Sequence, residues 1–195
     1  MKKLLLIAAV AVFGFTNVNA QKRDAGQIEL APYVGYMNSF LNGDEVDDLD
    51  YRSAVNFGVR GDYFFNDRWS LRSGLNYDSM GAEFGALELQ LDYLNIPINA
   101  NWHFGSTRKW NLNFGLTPGF LLKAEEDGVD VKEFLNSFQL GISYGIGYKL
   151  EISSAFSILF DFQGLVGITN ILEDSDDFTR LNAGSSLNIG GVFNF

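Results

Sequence analysis

The residue types that most often carry out catalysis or bind metals are scarce in this sequence. His103 is the single histidine, and there is no cysteine. A Ser-His-Asp triad or a multi-histidine metal site would depend on that one imidazole, and thiolate chemistry and disulfides are excluded. His103 stands at the end of a run of alternating residues, beside a short connection. We interpret it as a buried hydrogen-bonding residue and predict no catalytic residue, metal site or cofactor.

Eight charged residues share the polar side of segments in which polar and apolar residues alternate. They are Glu29, Arg60, Asp62, Arg72, Asp78, Lys149, Glu151 and Asp161. Carboxylates held close together can serve as a general acid and a general base. Opposite charges removed from water pair with one another, because an isolated buried charge is very costly. We interpret the set as an interior charge network held together by salt bridges.

Further acidic residues are concentrated in the connections between these segments. They are Asp44, Glu45, Asp47, Asp48, Asp50, Glu125, Glu126, Asp127, Asp130, Glu133, Glu173, Asp174, Asp176 and Asp177. Clustered oxygen ligands suit Ca²⁺, but no connection has the ligand spacing and closing glutamate of an EF-hand. We interpret these residues as solvated charges on surface loops. The net charge of -10 excludes nucleic acid as a partner, because neutralising phosphates requires clustered Lys and Arg.

The N-terminus has the pattern of a secretory signal peptide. Lys2 and Lys3 form a basic start, and an apolar run of about a dozen residues follows at 4–15. This run is too short to span a bilayer as a helix, and Ala20 ends a stretch that is suited to cleavage. The pattern predicts a signal peptide at 1–20, export, and a mature chain of residues 21–195. A buried N-terminal helix is the alternative.

In the rest of the chain, apolar and polar residues alternate with a period of two, which is the pattern of β-strands. The clearest segment runs from Phe138 to Leu150, where seven large apolar residues alternate with Gln139, Ser143, Lys149 and three glycines. Six other segments lie at about 53–65, 69–78, 91–104, 110–120, 156–163 and 186–195, and an eighth at about 28–40 alternates less regularly. After the N-terminal run, no segment approaches the ~18–20 apolar residues of a transmembrane helix. The sequence therefore predicts an all-β protein of eight strands.

The composition of the two faces indicates what each face contacts. A soluble barrel of the lipocalin type has the same periodicity but places its apolar residues inside. Here the apolar face carries no Lys or Arg in the seven clear segments, where either would cost about 2–4 kcal/mol at the bilayer centre. The polar face combines Gly with Asn, Ser, Arg and Asp, which suits a narrow interior. We predict an antiparallel, up-and-down transmembrane β-barrel.

Short and long connections alternate along the chain. The short connections lie at 65–68, 105–109 and 152–155, and the long ones at 41–53, 80–91, 123–133 and 170–181. Outer-membrane barrels have short turns in the periplasm and long loops outside the cell. With an even number of strands, this alternation predicts periplasmic termini, extracellular acidic loops and a location in the cell outer membrane.

The last strand ends with a pattern that outer-membrane barrels use during assembly. Asn188, Gly190, Phe193 and Phe195 stand where that signal has a polar residue, a glycine and two aromatic or apolar residues. This similarity implies that the barrel assembly machinery binds the chain during biogenesis.

One internal segment resembles a known family. Tyr93–Pro97 (YLNIP), with Gly81 before it and GIGYK at 145–149, is similar to the PorT-like outer-membrane β-barrel family. The resemblance covers most of the mature chain. It implies a Bacteroidota-type origin and an eight-stranded barrel with the OmpA/OmpX-like architecture. Some relatives are linked to protein secretion or gliding, and the family carries no catalytic residues that could be transferred.

These predictions together suggest a role in the envelope. An eight-stranded barrel is just wide enough to be filled by its own side chains, so we expect the charge network to plug it. We predict a non-enzymatic protein with a structural or interaction role. A small passive or gated channel is the alternative, and a barrel enzyme acting on lipid or peptide is a third possibility. The predicted partners are outer-membrane lipid and lipopolysaccharide, which divalent ions would bridge to the loops, and other envelope or secretion proteins.

Overall fold

The structure is a computed structural model, and the residues that it describes are 23–46, 48–173, 175 and 177–195. The predicted signal peptide and the loop residues Asp47, Asp174 and Asp176 lie outside the described residues. The described residues form ten strands and one 3-10 turn. The strands are β1 (Ile28–Gly43), β2 (Asp50–Phe64), β3 (Trp69–Phe84), β4 (Leu87–Asn95), β5 (Ile98–Phe104), β6 (Trp110–Glu126), β7 (Val129–Asp130), β8 (Phe138–Glu151), β9 (Phe156–Gly167) and β10 (Arg180–Asn194), and the turn is Lys132–Phe134. Within these ranges, no helix is long and apolar enough to cross a membrane.

The strands close into a ring of antiparallel neighbours. β1 pairs with β2 on one side and with β10 on the other, so that Tyr33 lies opposite both Gly58 and Gly190. β4 and β5 share one position of the ring, because both pair with β3 and with β6. β7 is a two-residue strand that pairs with the end of β6 and adds no position. The ten strands therefore occupy eight ring positions, and the predicted all-β, eight-stranded antiparallel up-and-down barrel is confirmed.

One predicted strand is divided in two. Alternation at 91–104 predicts a continuous strand, but Ile96 and Pro97 separate β4 from β5. Pro97 has no N–H to donate to a neighbouring strand, and the Ile96 N–H donates to the Pro118 carbonyl at 2.9 Å. The wall stays closed because β5 resumes both pairings at Ile98.

Side chains alternate between the inside and the outside of the ring. In β8, Ile142 and Tyr144 are exposed on the outside, whereas Gln139 and Lys149 are buried on the inside. Neighbouring aromatic rings, with centroids 4.9–6.3 Å apart, form an outer girdle of Trp69, Trp102, Phe104, Trp110 and Tyr148. Aromatic girdles of this kind are favoured at membrane interfaces.

The two ends of the barrel differ, and we call them the turn end and the loop end. The turn end holds the short connections at 65–68, 105–109 and 152–155, where the sequence predicts them. The first and last strands also meet there, since Ile28 and Phe195 exchange two backbone hydrogen bonds. The loop end holds the other connections.

The strands continue at the loop end beyond their alternating segments. The prediction of a long loop at 80–91 is wrong, because β3 runs on to Phe84 and the tight turn Gly85–Ala86 leads directly into β4. β6 likewise reaches Glu126 before it turns back into β7, so the predicted loop at 123–133 is partly strand. Along β4 the alternation continues, but with its sense reversed, because the apolar residues from Leu87 to Tyr93 lie on the inner face. β3, β4, β6 and β7 thus form a sheet that extends from the loop end, which we call the projecting sheet.

Candidate functional site inside the barrel

The turn half of the interior carries charged side chains that contact one another. Glu29 accepts hydrogen bonds from Arg23 Nε, at 2.6 Å, and from Lys149 Nζ. Arg72 donates two hydrogen bonds to Asp62, of 2.9 and 3.1 Å, in the bidentate geometry of a strong guanidinium–carboxylate pair. All five side chains are buried.

Asp161 extends this group toward the middle of the barrel. Its carboxylate accepts a hydrogen bond from Arg60 Nη1 and lies 3.8 Å from Arg72 Nη1. The Arg60 guanidinium also lies over the Tyr33 ring, 3.9 Å from its centroid. Each of these buried charges therefore has an opposite charge beside it, as an interior of low dielectric constant requires.

The charges of the predicted interior set balance only when two further buried residues are included. That set has three cations and five carboxylates. Arg23 precedes β1, and Lys109 lies in the turn before β6, where its Nζ is 3.4 Å from Glu151 Oε2. Both are buried and bring the set to five charges of each sign. Strand alternation misses them because neither belongs to a strand, but an excess of two carboxylates inside a barrel signals that two more cations are needed.

Asp78 stands apart from these ion pairs. In the described part of the chain, its carboxylate accepts hydrogen bonds from two amides, Asn95 Nδ2 at 2.7 Å and Asn56 Nδ2 at 3.4 Å, instead of pairing with a cation. It borders a cavity of about 40 Å³, which has room for only a few water molecules. Arginines line this cavity on the turn side, and Met37 and Leu165 line it toward the loop end. The cavity therefore marks the boundary between two halves of the interior.

The loop half of the interior is filled mainly by apolar side chains, with Ser39, Gln139 and Asn182 among them, so the predicted polar interior is only partly right for this half. Inward side chains of the barrel wall form one buried cluster here. They are Met37, Leu41, Met80, Ala82, Leu91, Tyr93, Leu121, Ala124 and Leu165. On β3 and β4 the other face at this level carries Ser79, Gln90 and Asp92, so the polar–apolar alternation persists but its apolar residues now point inward.

Apolar residues from three loops cover the cluster, and we call them the cap. They are Val46, Leu49, Val131, Leu135, Ile171 and Leu172. Asn136 Nδ2 ties two of the loops together by donating to the carbonyls of Asn170, at 3.1 Å, and Leu172, at 2.8 Å. Asp44 and Thr179 join the third loop through hydrogen bonds of 2.9 and 2.8 Å. Sequence patterns do not reveal the cap, because its contacts join residues far apart in the chain.

Comparisons with known proteins assign this arrangement to a family. The family model of the outer membrane protein beta-barrel domain matches residues 19–173. The chain belongs to this family. No curated protein sequence matches this outer-membrane β-barrel protein.

Solved structures of outer-membrane proteins have the same fold. OprG from Pseudomonas aeruginosa is similar with a TM-score of 0.55 at 12% sequence identity, covering 91% of this chain and 99% of that chain. Neisserial surface protein A has a TM-score of 0.55 at 14% identity, covering 87% and 99%. AlkL, solved in lipid bilayers, has a TM-score of 0.54 at 10% identity, covering 93% and 95%. The predicted outer-membrane location is confirmed, whereas the PorT-like membership and the Bacteroidota-type origin stay predictions.

His103 of the outer-membrane barrel lies inside the turn half. Its Nε2 is 3.0 Å from Ser70 Oγ, which donates a hydrogen bond to Asp62 Oδ1 at 3.1 Å. These are the residue types of a hydrolytic triad, but the carboxylate contacts the serine rather than the second imidazole nitrogen. All three side chains are buried. The geometry therefore gives His103 a hydrogen-bonding role and gives a substrate no access to Ser70.

The predicted assembly-signal residues lie on or directly after β10. Asn188 accepts a hydrogen bond from an asparagine of β2 at 3.1 Å. Gly190 lies against Tyr33, because a Cβ added at this glycine would be 3.0 Å from Tyr33 Cβ. Phe193 and Phe195 are exposed. Recognition of these residues by the assembly machinery stays a prediction.

Proposed function

We propose that the protein is a closed, non-enzymatic barrel that anchors or binds other envelope components through its loop end. The proposal rests on one observation: side chains fill both halves of the barrel interior. Ion pairs occupy the turn half, and the apolar cluster and the cap occupy the loop half. A passing ion would have to separate buried pairs, which costs several kcal/mol. It would then have to cross a layer lined mainly by packed apolar side chains, in which the buried polar side chains Ser39, Gln139 and Asn182 already take part in hydrogen bonds.

The orientation in the membrane follows from the two ends. The turn end faces the periplasm and the loop end faces the outside, which is the usual arrangement of short and long connections. Residues 21–195 form the mature chain after the signal peptide is removed. The outer girdle contacts membrane lipid near the periplasm, and the outer wall near the loop end contacts lipopolysaccharide. The assembly machinery receives β10 during biogenesis, and the loop end meets other envelope or secretion proteins.

A small gated channel is the second candidate. It is favoured by Asp78, whose carboxylate has amide partners beside a cavity, and by the cap, whose loops would then form the gate. Opening would require the cap to leave the mouth of the barrel and the Arg60–Asp161 pair to separate.

Conductance separates the two candidates. The mature chain is refolded, and a heat-modifiable band on a gel confirms the folded barrel. In planar lipid bilayers, we expect this barrel to give no discrete channel openings. A variant with Leu135→Ser and Ile171→Ser weakens the cap and should stay silent too, because the ion pairs still fill the turn half. Stable openings of the unaltered chain would overturn the closed barrel. Openings of the cap variant alone would make the cap a gate and favour the channel.

A further inference from the structure

The projecting sheet carries apolar side chains beyond the cap. Tyr77, whose ring stacks on Phe57 with centroids 5.0 Å apart, belongs to the outer aromatic surface of the wall. From Tyr77, β3 continues for seven residues to Phe84, which is ~23 Å along the strand. The end of this hairpin is thus held well clear of the membrane-facing wall.

Three residues at this end form what we call the tip patch: Phe84, Leu87 and Val129. Phe84 is the register partner of Leu87. Glu126 is the register partner of both Leu89 of β4 and Val129 of β7. Register partners lie on one face of a sheet, so Val129 shares the face of Leu89 and of Leu87, two residues before it. The tip patch therefore belongs to the face that carries Leu89 and, further down, the apolar cluster.

The cap covers only the lower part of this face. Met80 and Leu91 are 0% exposed beneath it, whereas Phe84 is 52%, Leu87 46% and Val129 65% exposed. A row of apolar side chains that starts in the barrel core thus continues uncovered into water. Exposed apolar surface of this kind, bordered by polar residues, commonly marks a protein interaction site.

Carboxylates border the tip patch and give it a strongly acidic setting. The rim residues on this face and in the adjoining turn are Glu126 and Asp127, and Glu83, Glu88 and Asp130 lie at the same end on the opposite face of the sheet. Seventeen of the 24 acidic residues lie in the segments 44–50, 83–92, 125–133 and 173–177. Two of the few basic residues nearby are already paired, Arg52 with Glu88 at 2.6 Å and Lys123 with Glu125 at 2.8 Å. Such a field attracts a cationic partner and repels phosphate groups and a second copy of the same surface.

We propose that the tip patch docks a basic amphipathic segment of a protein or peptide at the cell surface. Apolar side chains of the segment cover Phe84, Leu87 and Val129, and its Lys and Arg residues pair with the rim carboxylates. This docking rests on the proposed function, which places the loop end outside the cell.

Two synthetic peptides of equal length and charge test the docking. One alternates Lys with Leu, and the other alternates Lys with Ser. The full mature barrel is placed in zwitterionic lipid nanodiscs, and binding to empty discs is subtracted. We expect the Lys–Leu peptide to bind at least about tenfold more tightly than the Lys–Ser peptide. The double variant Phe84→Ser, Leu87→Ser should remove that advantage and leave Lys–Ser binding unchanged.

Phe178→Ser is the matched control, because Phe178 is also an exposed loop-end aromatic residue but precedes β10, across the ring from the tip patch. It should leave the binding of both peptides unchanged. Equal affinity for the two peptides, or a Lys–Leu affinity that the double variant leaves unaltered, would overturn the docking. A barrel that is dimeric without peptide and monomeric in the double variant would also overturn it, since a second copy would then occupy the patch. If the barrel does not conduct in bilayers but fails these binding tests, only the docking is contradicted. If the barrel conducts, the proposed function is contradicted.

Discussion

On β3, Arg72 and Met80 lie eight residues apart on the same inner face, but Arg72 contacts carboxylates and Met80 lies in the apolar cluster. On β9, Asp161 and Leu165 repeat this contrast within four residues. The turn half is filled by matched charges, and the loop half is filled by packed side chains under a cap. One narrow barrel thus excludes water in two physically different ways.

The two halves should respond differently to substitution. A buried ion pair that loses one partner leaves an uncompensated charge, whose cost does not depend on how well the site repacks. An apolar cluster that loses methyl groups leaves a space, whose cost depends on how far the neighbours relax into it. We expect large, discrete losses in the turn half and smaller, graded losses in the loop half.

The largest loss is expected for Arg72→Leu. This change removes both hydrogen bonds to Asp62 and the nearby cation of Asp161. The free energy of unfolding should fall by about 3–5 kcal/mol, because two carboxylates stay buried with too few cations. Urea unfolding in lipid vesicles, followed by the fluorescence of the three tryptophans, measures it.

A second change shows whether charge causes that loss. Adding Asp62→Asn to Arg72→Leu removes one of the stranded charges and keeps an acceptor for Asn101 Nδ2, which donates to Asp62 at 2.9 Å. The double variant should be more stable than Arg72→Leu alone. A double variant that is less stable would mean that packing, not charge balance, governs the turn half.

A smaller loss is expected for Leu91→Ala in the loop half. Leu91 is buried on β4 as the register partner of Met80. The free energy of unfolding should fall by about 2–3 kcal/mol, toward the lower part of the range for Leu→Ala, because the flexible Met80 can relax into the space. The same urea titration measures it.

Leu91→Met is the matched control, because it nearly conserves volume and should cost less than about 1.5 kcal/mol. If Leu91→Ala cost as much as Arg72→Leu, the contrast between a charge-paired half and a packed half would not hold.

The contrast also explains what could be predicted from the sequence. Lys149 and Asp161 alternate with large apolar residues, so period two alone places them inside, and the structure buries both. Met80 and Leu91 could not be placed in this way, because at their level the alternation changes sense: the apolar residues lie inside, and the polar residues Ser79, Gln90 and Asp92 lie on the other face. The same change of sense made the β3–β4 hairpin, with its tight turn Gly85–Ala86, resemble a loop.

The remaining site residues depend on contacts that no local pattern records. Arg23 lies before the first strand and becomes part of the network through Glu29, six residues away but on the inner face of β1. Asn136 bonds carbonyls of a loop more than thirty residues away. Charge balance could have pointed to Arg23, whereas nothing in the sequence distinguishes Asn136 from a solvated asparagine.

The smallest effect is expected for Asn136→Ala, which concerns the cap rather than either half of the interior. The change removes two hydrogen bonds to the loop between β9 and β10, each of which contributes about 0.5–1.5 kcal/mol. Local opening of the cap should become easier by a similar amount while global stability changes little, because loops open separately from strands. Amide hydrogen exchange at 170–173 should then accelerate roughly tenfold, with the β-strands unaffected.

Asn66→Ala is the control at the other end, where Asn66 Oδ1 accepts hydrogen bonds from the Arg68 and Trp69 N–H groups at 2.9 and 3.0 Å. It also removes two hydrogen bonds from a connection, but it should leave exchange at 170–173 unchanged. If Asn136→Ala accelerated exchange in the strands of the loop half as well, the cap and the apolar cluster would open as one unit. The boundary between the two ways of excluding water would then lie at the 40 Å³ cavity alone, and the loops would count as part of the barrel core.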